Sequence, residues 1–369
     1  MTPSARDIRY MTRALALAAR GQGRTSPNPT VGAVVVSKGR IVGEAFHRQA
    51  GGPHAEALAL RQAGARARGG TLYVTLEPCS HTNKRTPPCV PEVLASGIKR
   101  VVAAMQDPNP HVKGNGLRRL RRAGLNVTVG CLESEAVQLN QGYVHRMTTG
   151  CPFVTLKAAI TLDGKIATAS GESKWITGAT ARQHAHRLRG RMDAILVGIG
   201  TVLHDNPRLT ARRGARSRGR QPLRVILDST LRIPLNTRIL SRQARQGTVV
   251  MTTARAPKHR LARLRRIGVA VHVFPAVKKQ VSLRACLAVL GNLGVNDLLI
   301  EGGGEVIASA LRAGVVNRLH LYVAPKLLGG RDARNVIGGV SPKHLTQALA
   351  VKHLRVKKLG SDFLLEGVL

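Results

Sequence analysis

Short apolar runs rich in Val and Ile alternate with segments of helical periodicity up to Gly150, and few folds accept that alternation. Ile8, Met11, Ala14, Leu15 and Ala18 recur at helical spacing over residues 7–20, and the breaker stretch Gly21–Pro29 ends the helix. Val31–Val36 and Arg40–Phe46 flank Ser37–Gly39 and predict a β-hairpin. Predicted helices over His54–Ala67, Cys89–Ala95, Gly116–Ala123 and Glu133–Arg146 then interleave with strands Thr71–Leu76, Arg100–Ala104 and Leu125–Val129. Each element must bury one face, so the expected arrangement is a three-layer α/β/α sheet.

Gly150-Cys151-Pro152 interrupts the pattern, which divides the chain into an expected first domain, 1–148, and a second, 149–369. The second is also α/β. It begins with a strand over Phe153–Ala159 and holds further strands at Ala194–Val197, Arg224–Leu227, Thr248–Met251, Asp297–Ile300 and Leu319–Val323, with helices between several of them. The Arg-rich stretch Ala211–Pro222 reads as an exposed loop.

Composition narrows the function classes. The net charge is +39, with +13 before residue 149 and +26 after it, so both halves are basic. Such an excess invites polyanions, but aromatic residues are only 2 %, too few to build stacking platforms for single-stranded nucleic acid. Scattered arginines then read as solvated surface, with positive potential useful toward phosphorylated small molecules. Five widely spaced cysteines do not form a disulfide framework, which points to a reducing, cytoplasmic setting. No apolar run approaches the ~20 residues of a membrane span. Asp7 favours an ordinary first helix over a transit peptide. Acidic residues are scarce, and Glu56, Glu77, Asp107, Asp163, Asp205, Asp228 and Glu301 all fall in or beside motif-like segments.

His54 and Glu56 open one predicted helix, Cys79 follows a strand, and Cys89 opens another helix. One imidazole and two thiolates make a soft donor set suited to one Zn²⁺, and a three-ligand count leaves a tetrahedral position open for water. Glu56 stands two residues past His54, so it faces away from a shared ligand direction and is the candidate proton carrier. Zinc nucleobase deaminases carry His-x-Glu with a later Pro-Cys-x-x-Cys. Here the cysteines lie ten apart, and His81 in the intervening loop is a rival ligand.

In the second half, Glu301 precedes Gly302-Gly303-Gly304 and a predicted helix over Glu305–Leu311, a turn where bare N–H groups can meet phosphate or where the chain simply bends. No Gly-x-Gly-x-x-Gly fingerprint occurs, which disfavours an ordinary dinucleotide-binding fold.

Thr25-Ser26-Pro27-Asn28-Pro29-Thr30-Val31-Gly32, His54-Ala55-Glu56, Thr75-Leu76-Glu77-Pro78-Cys79-Ser80-His81, Thr86-Pro87-Pro88-Cys89 and Gln106-Asp107-Pro108-Asn109-Pro110 together resemble the bifunctional riboflavin-biosynthesis deaminase–reductase family. The resemblance continues in 157–167, 170–177 and 200–207. The loop between the cysteines is one residue longer than is usual in that family, near Asn83 and Lys84.

The resemblance implies a cytidine-deaminase-like first domain and a dihydrofolate-reductase-like second one. The first would remove an amino group hydrolytically from 2,5-diamino-6-ribosylamino-4(3H)-pyrimidinone 5′-phosphate, with His54, Cys79 and Cys89 on zinc, Glu56 catalytic, and Asn28 and Glu77 lining the site. The second would reduce the ribosyl side chain with NADPH. Ala159, Trp175, Thr201, Asp205, Ser229, Gly303, Gly304, Glu305, Val306, Ile307, Ala308 and Ser309 would contact the cofactor. Ser173, Arg189, Leu209, Arg212 and Glu301 would contact substrate, and Lys157 and Asp205 are candidates to polarise or protonate the opened sugar imine. Asn28 can equally serve turn chemistry, either Arg a solvated surface, and Trp175 a core anchor. A homo-oligomer is compatible with all of this. The rival from another class, a basic tRNA-type zinc deaminase, is opposed by the long cysteine spacing and the reductase-like half; a structural zinc protein is opposed by Glu56.

Overall fold

The computed structural model describes residues 3–80, 86–212 and 220–369. It divides into two compact units, Met1–Cys151 and Pro152–Leu369. The first contains α1 (Ala5–Ala19), β1 (Gly32–Ser37), β2 (Arg40–Phe46), α2 (Ala55–Ala63), β3 (Thr71–Val74), α3 (Cys89–Ala95), β4 (Arg100–Ala103), α4 (Asn115–Arg122), β5 (Asn126–Val129), α5 (Glu133–Leu139) and α6 (Gln141–Thr149). Its sheet has the order β2-β1-β3-β4-β5, antiparallel through the hairpin and β3, then parallel.

Two glycines show how the layers close. A Cβ on Gly32 would lie 2.0 Å from the Ala14 carbonyl oxygen of α1, and one on Gly43 2.2 Å from that of Ala59 in α2. Gly32 pairs with Phe46 and Gly43 with Val35, an odd offset that puts the two glycines on opposite faces of the sheet. The two helices therefore cover opposite faces, and β1 between them is buried on both, as its Ala-Val-Val-Val run requires. Ser4 and Asp7 form a capping box at the start of α1. Asp7 also accepts from Tyr73 Oη at 2.9 Å and from both terminal nitrogens of Arg100 at 2.8 and 3.0 Å, which ties α1 to β3 and β4.

Two expected helices differ. Glu133–Arg146 is broken at Asn140, whose amide Oδ1 accepts from Thr30 N at 2.7 Å and whose Nδ2 donates to Thr30 O at 3.0 Å. The Asn140 backbone leaves helical geometry there, at φ −109° and ψ 22°. The helix from His54 ends at Ala63, and Gly64 at φ 56° leads into a 3-10 turn over Gly64–Ala67.

The second unit contains β6 (Phe153–Thr161), β7 (Lys165–Ala167), α7 (Ala179–Arg189), β8 (Ala194–Gly198), α8 (Ile199–Asp205), β9 (Leu223–Leu227), β10 (Thr248–Thr253), α9 (Lys258–Arg266), β11 (Ala270–Phe274), β12 (Ala276–Val277), β13 (Gln280–Val281), α10 (Leu283–Asn292), β14 (Asp297–Ile300), α11 (Gly304–Arg312), β15 (Arg318–Ala324), β16 (Arg334–Asn335), β17 (Lys352–Leu359) and β18 (Asp362–Val368). Nine strands form one sheet in the order β11-β10-β9-β8-β14-β6-β15-β18-β17. The first seven run parallel, and the closing hairpin β17–β18 is antiparallel. Buried Ile, Val and Leu from β8, β9, β10 and β14 form a core cluster on this sheet.

Among the described residues no helix is long and apolar enough to cross a membrane. The segment 213–219, most of the expected Arg-rich loop, lies outside them, as do His81, Asn83 and Lys84.

Candidate active sites

In the first unit, three donor-bearing side chains meet at element ends. His54 is the extended residue before α2, Cys79 follows β3, and Cys89 is the first residue of α3 behind Pro88. The Cys79 carbonyl accepts from the backbone N–H of Cys89 at 3.0 Å and of Val90 at 3.2 Å, which clamps the two cysteines together across their long loop. His54 Nδ1 lies 3.1 Å from Cys89 Sγ and 3.5 Å from Cys79 Sγ, and the three donor atoms all fall within 4.8 Å of one another. A tetrahedral Zn²⁺ with ordinary bond lengths separates N and S ligands by about 3.6 Å, so the donor set and its spacing fit this ion. His54 Nε2 is 3.0 Å from Thr86 Oγ1; an N–H donated there leaves Nδ1 with a free lone pair for a metal.

Glu56, in the first turn of α2, is 3 % exposed. Burial raises its pKa above the ordinary carboxylate value and the neighbouring Cys79 adds to the rise, with His54 opposing.

Glu77, expected to line the site, also has a structural use. Its Oε2 accepts from Asp107 N at 3.1 Å and Gly114 N at 2.8 Å, and its Oε1 from Gly116 N at 2.8 Å and Leu117 N at 3.3 Å. The carboxylate therefore caps α4 and anchors the strand end that carries Cys79. Gly116 must stay bare, because a Cβ there would sit 1.9 Å from the Pro78 carbonyl oxygen. Asp107 is buried, accepts from Tyr143 Oη at 2.9 Å, and has its pKa pushed up to about 6 by burial.

Asn28 Nδ2 is 3.2 Å from His47 Nε2, and His47 Nδ1 is 3.0 Å from the Pro53 carbonyl, so a His47 that donates to Pro53 accepts from Asn28. Burial lowers the His47 pKa, which favours that neutral form. Sequence reasoning missed His47, which belongs to no quoted motif, and gave Thr86 a place in the Thr86-Pro87-Pro88-Cys89 motif but not its contact with His54.

In the second unit, several of the expected cofactor and substrate residues lie at or beyond the carboxyl ends of parallel strands, where α/β sheets bind ligands. Ala159 lies near the end of β6, Thr201 in α8 after β8, Ser229 just after β9, and Glu301 just after β14. Gly302 is tightly constrained, with Val306 Cβ 2.6 Å from where its own Cβ would be, whereas Gly303 has only Thr201 Oγ1 at 3.8 Å. The first turn of α11 thus leaves Gly303, its extended N-cap, open beside Thr201. Ile307 and Ala308 are buried, so from there only backbone can reach a ligand, while Glu305 is exposed and Val306 and Ser309 half-buried.

Arg189, the last residue of α7, is bidentate to Glu301, with Nε to Oε1 at 2.8 Å and Nη2 to Oε2 at 2.5 Å. The structure thus joins the two expected substrate residues to each other. Burial alone would raise Glu301, but Arg189 and Lys157 together hold it down at about 2. Lys157 Nζ stands 5.5 Å from the centroid of the Tyr322 ring, and burial lowers its pKa. His186, held down at about 4 by burial, feels both Arg189 and Arg212. Arg212 itself is exposed.

Ser173 Oγ donates to Asp205 Oδ1 at 3.3 Å, and Lys174 Nζ lies 3.8 Å from the same oxygen. Trp175 is 63 % exposed beneath the Arg182 guanidinium, 4.6 Å from its ring centroid, so it is no core anchor. Leu209 is the reverse: its side chain is buried in the core cluster, which leaves only its backbone, at φ 46°, to face a ligand.

Residues 4–105 match the cytidine and deoxycytidylate deaminase zinc-binding region, and residues 152–365 match the RibD C-terminal domain. The riboflavin biosynthesis protein RibD of Actinobacillus pleuropneumoniae is 44 % identical over 98 % of this chain and 95 % of its own length. That of Escherichia coli K12 is 42 % identical over 98 % and 99 %. A solved structure of Acinetobacter baumannii RibD superposes with a TM-score of 0.90 at 40 % identity, covering 98 % of both chains. The Thermotoga maritima diaminohydroxyphosphoribosylaminopyrimidine deaminase/5-amino-6-(5-phosphoribosylamino)uracil reductase gives 0.86 at 38 %, again covering 98 % of both. With a zinc-type donor cluster in one unit, a reductase sheet in the other, and relatives that match both from end to end, the chain belongs to the RibD family, the two-activity deaminase–reductases of riboflavin biosynthesis, which use Zn²⁺ and NADPH.

Proposed function

We propose that deamination of the diaminopyrimidinone phosphate is carried out within residues 1–148 by Glu56, with His54, Cys79 and Cys89 as the zinc ligands. The observation that carries this reading is the convergence of those donor atoms within 4.8 Å, with buried Glu56 two residues beyond His54. When bound, Zn²⁺ supplies the Lewis acidity that makes water a nucleophile near neutral pH. Glu56 takes the proton of the attacking water and hands it to the departing amino nitrogen, so that ammonia leaves and a carbonyl remains. Thr86 fixes the His54 tautomer, and Asn28, held by His47, orients the ring.

Reduction takes place within residues 149–369. When bound, NADPH supplies the hydride. Gly303 to Ser309, with Thr201, Ser229, Ala159, Trp175 and Asp205, hold the cofactor along the carboxyl ends of the strands. Lys157, half-buried beside Tyr322, polarises the opened imine of the sugar, and Asp205 is positioned by Ser173 as a second proton source. Arg189 is already engaged by Glu301, so it presents its remaining N–H edge to the ribose phosphate alongside Arg212. Substrates are small phosphorylated pyrimidines and not nucleic acid, the working compartment is the cytoplasm, and the arrangement is compatible with a homo-oligomer.

The test is to give the purified chain the diamino substrate and follow ammonia release and NADPH oxidation separately, with and without chelator. Chelation is expected to stop ammonia release while leaving reduction of pre-deaminated substrate intact. Ammonia release that persists after complete zinc removal overturns the deaminase assignment.

A further inference from the structure

Between Asp228 and Asp297 the chain carries thirteen Lys or Arg and not one Asp or Glu, so all nineteen acidic residues of the protein lie outside that stretch. Twelve of the thirteen cations are exposed, and Arg245 is half-buried. None of them has a carboxylate partner, because every ion pair among the described residues is made elsewhere. The stretch forms β10, α9, β11, the β12–β13 hairpin and α10. Since β11 is the edge of the nine-stranded sheet, this unopposed charge collects at one end of the second unit.

α9 is its densest part. Leu264 is buried and Leu261 and Ile267 pack against the core cluster, which leaves Lys258, Arg260, Arg263, Arg265 and Arg266 exposed along the rest of the helix. The last three suit the negative end of the helix dipole, but Lys258 and Arg260 in the first turn oppose its positive end, so helix stability does not account for the run. Arg260 Nη1 donates to the Leu231 carbonyl at 2.7 Å, which fixes its guanidinium and leaves its charge unneutralised. Arg255 Nη1 donates to the Lys279 carbonyl at 3.1 Å, which brings the Lys278-Lys279 turn of the β12–β13 hairpin up to the segment that leads into α9.

We propose that this face, with α9 at its centre, docks double-helical nucleic acid through the phosphates. Phe274 is the only Phe, Tyr or Trp in the stretch and it is buried, so no ring is free to stack on an unpaired base. A duplex has its bases stacked already and turns phosphates outward, about one per 1.7 Å of axis. α9 has nine residues and is thus about 14 Å long, so its five cations lie against about eight phosphates. Arg outnumbers Lys ten to three in the stretch, and a guanidinium holds two phosphate oxygens at once. An acidic membrane fits less well, because α9 turns its apolar side chains into the protein and has none left to enter lipid. The duplex is docked and not consumed: only phosphates are engaged, a chemistry that RNA and DNA share, and base sequence is not read.

The experiment is fluorescence anisotropy of labelled duplexes of about 20 base pairs, one RNA and one DNA, titrated with the full chain over a salt series. Phosphatidylglycerol vesicles at equal phosphate concentration are the comparison. Wild-type chain is expected to bind duplex at about 0.15 M salt, with log K falling linearly with log salt. The triple variant Arg263→Gln, Arg265→Gln, Arg266→Gln should lessen that slope by about two to three and weaken binding about a hundredfold. The triple variant Arg118→Gln, Arg121→Gln, Arg122→Gln removes the same charge from exposed positions on α4 of the first unit and should weaken binding by less than about threefold. Both variants should keep the wild-type kcat/KM of deamination and of reduction, which shows that they have folded. Binding of either duplex with this pattern supports the proposal, and the ratio of the two affinities separates RNA from DNA. Equal weakening by the two variants means that net charge and not this face holds the duplex, and overturns it, as does a wild-type chain that binds neither duplex at that salt. Tighter binding to the vesicles than to either duplex overturns the choice of partner.

Discussion

Replacing Glu56 by Gln keeps the shape of the side chain and removes its capacity to carry a proton. We expect deaminase kcat to fall about 10²–10⁴-fold, with one zinc per chain retained by metal analysis and reduction of pre-deaminated substrate unaffected. Loss of both activities together would show that the substitution acts through folding and not through proton transfer. The convergence of His54, Cys79 and Cys89 was legible because zinc chemistry restricts residue type and because each stands at an element end that the sequence marks with proline or the start of a helical pattern. The roles of His47 and Thr86 were not legible. Each acts through a hydrogen bond to a residue distant in the chain, and nothing in local periodicity records that. The anchoring use of Glu77 was not legible for a related reason: only the tertiary structure shows four backbone N–H groups converging on its carboxylate.

Among the elements, the Glu77 cap on α4 has the clearest consequence. Glu77→Ala leaves four backbone donors without their acceptor and should cost about 3 kcal/mol of first-unit stability. Thermal unfolding would measure it, and zinc affinity should fall as well, because the same carboxylate anchors the segment that carries Cys79. Unchanged stability would mean that water replaces the carboxylate freely. Strands β1, β3, β4, β8, β9, β10 and β14 were readable as apolar runs, and the alternation of elements gave the layer order. The hairpin β17–β18 was not readable, since Lys352-His353-Leu354-Arg355-Val356-Lys357-Lys358 has charge on both faces and resembles a solvated loop. The break at Asn140 escaped for the opposite reason. Its flanking residues continue a helical pattern, and a side-chain pairing with Thr30, 110 residues away, overrides it.

At the scale of the whole molecule, acid should loosen the first unit through Asp7. The hydrogen bonds from Arg100 hold its carboxyl far below the usual range against the opposing effect of burial. The unfolded chain takes up a proton that the folded one refuses, so the stabilisation is complete above the ordinary value of 3.8 and is lost as pH falls through the folded value. Asp7→Asn should remove that acid dependence and cost about 3 kcal/mol at neutral pH, both read from denaturant unfolding across pH. The positive charge is spread over both units.

The division at Cys151 and Pro152 gives each unit its own sheet and its own buried cluster, so damage in one need not spread to the other. Two preparations, one carrying Glu56→Gln and the other Lys157→Met, should each stall at a different stage yet complement each other in the same vessel. The restored yield would then be set by how quickly the released intermediate finds its way from one kind of molecule to the other.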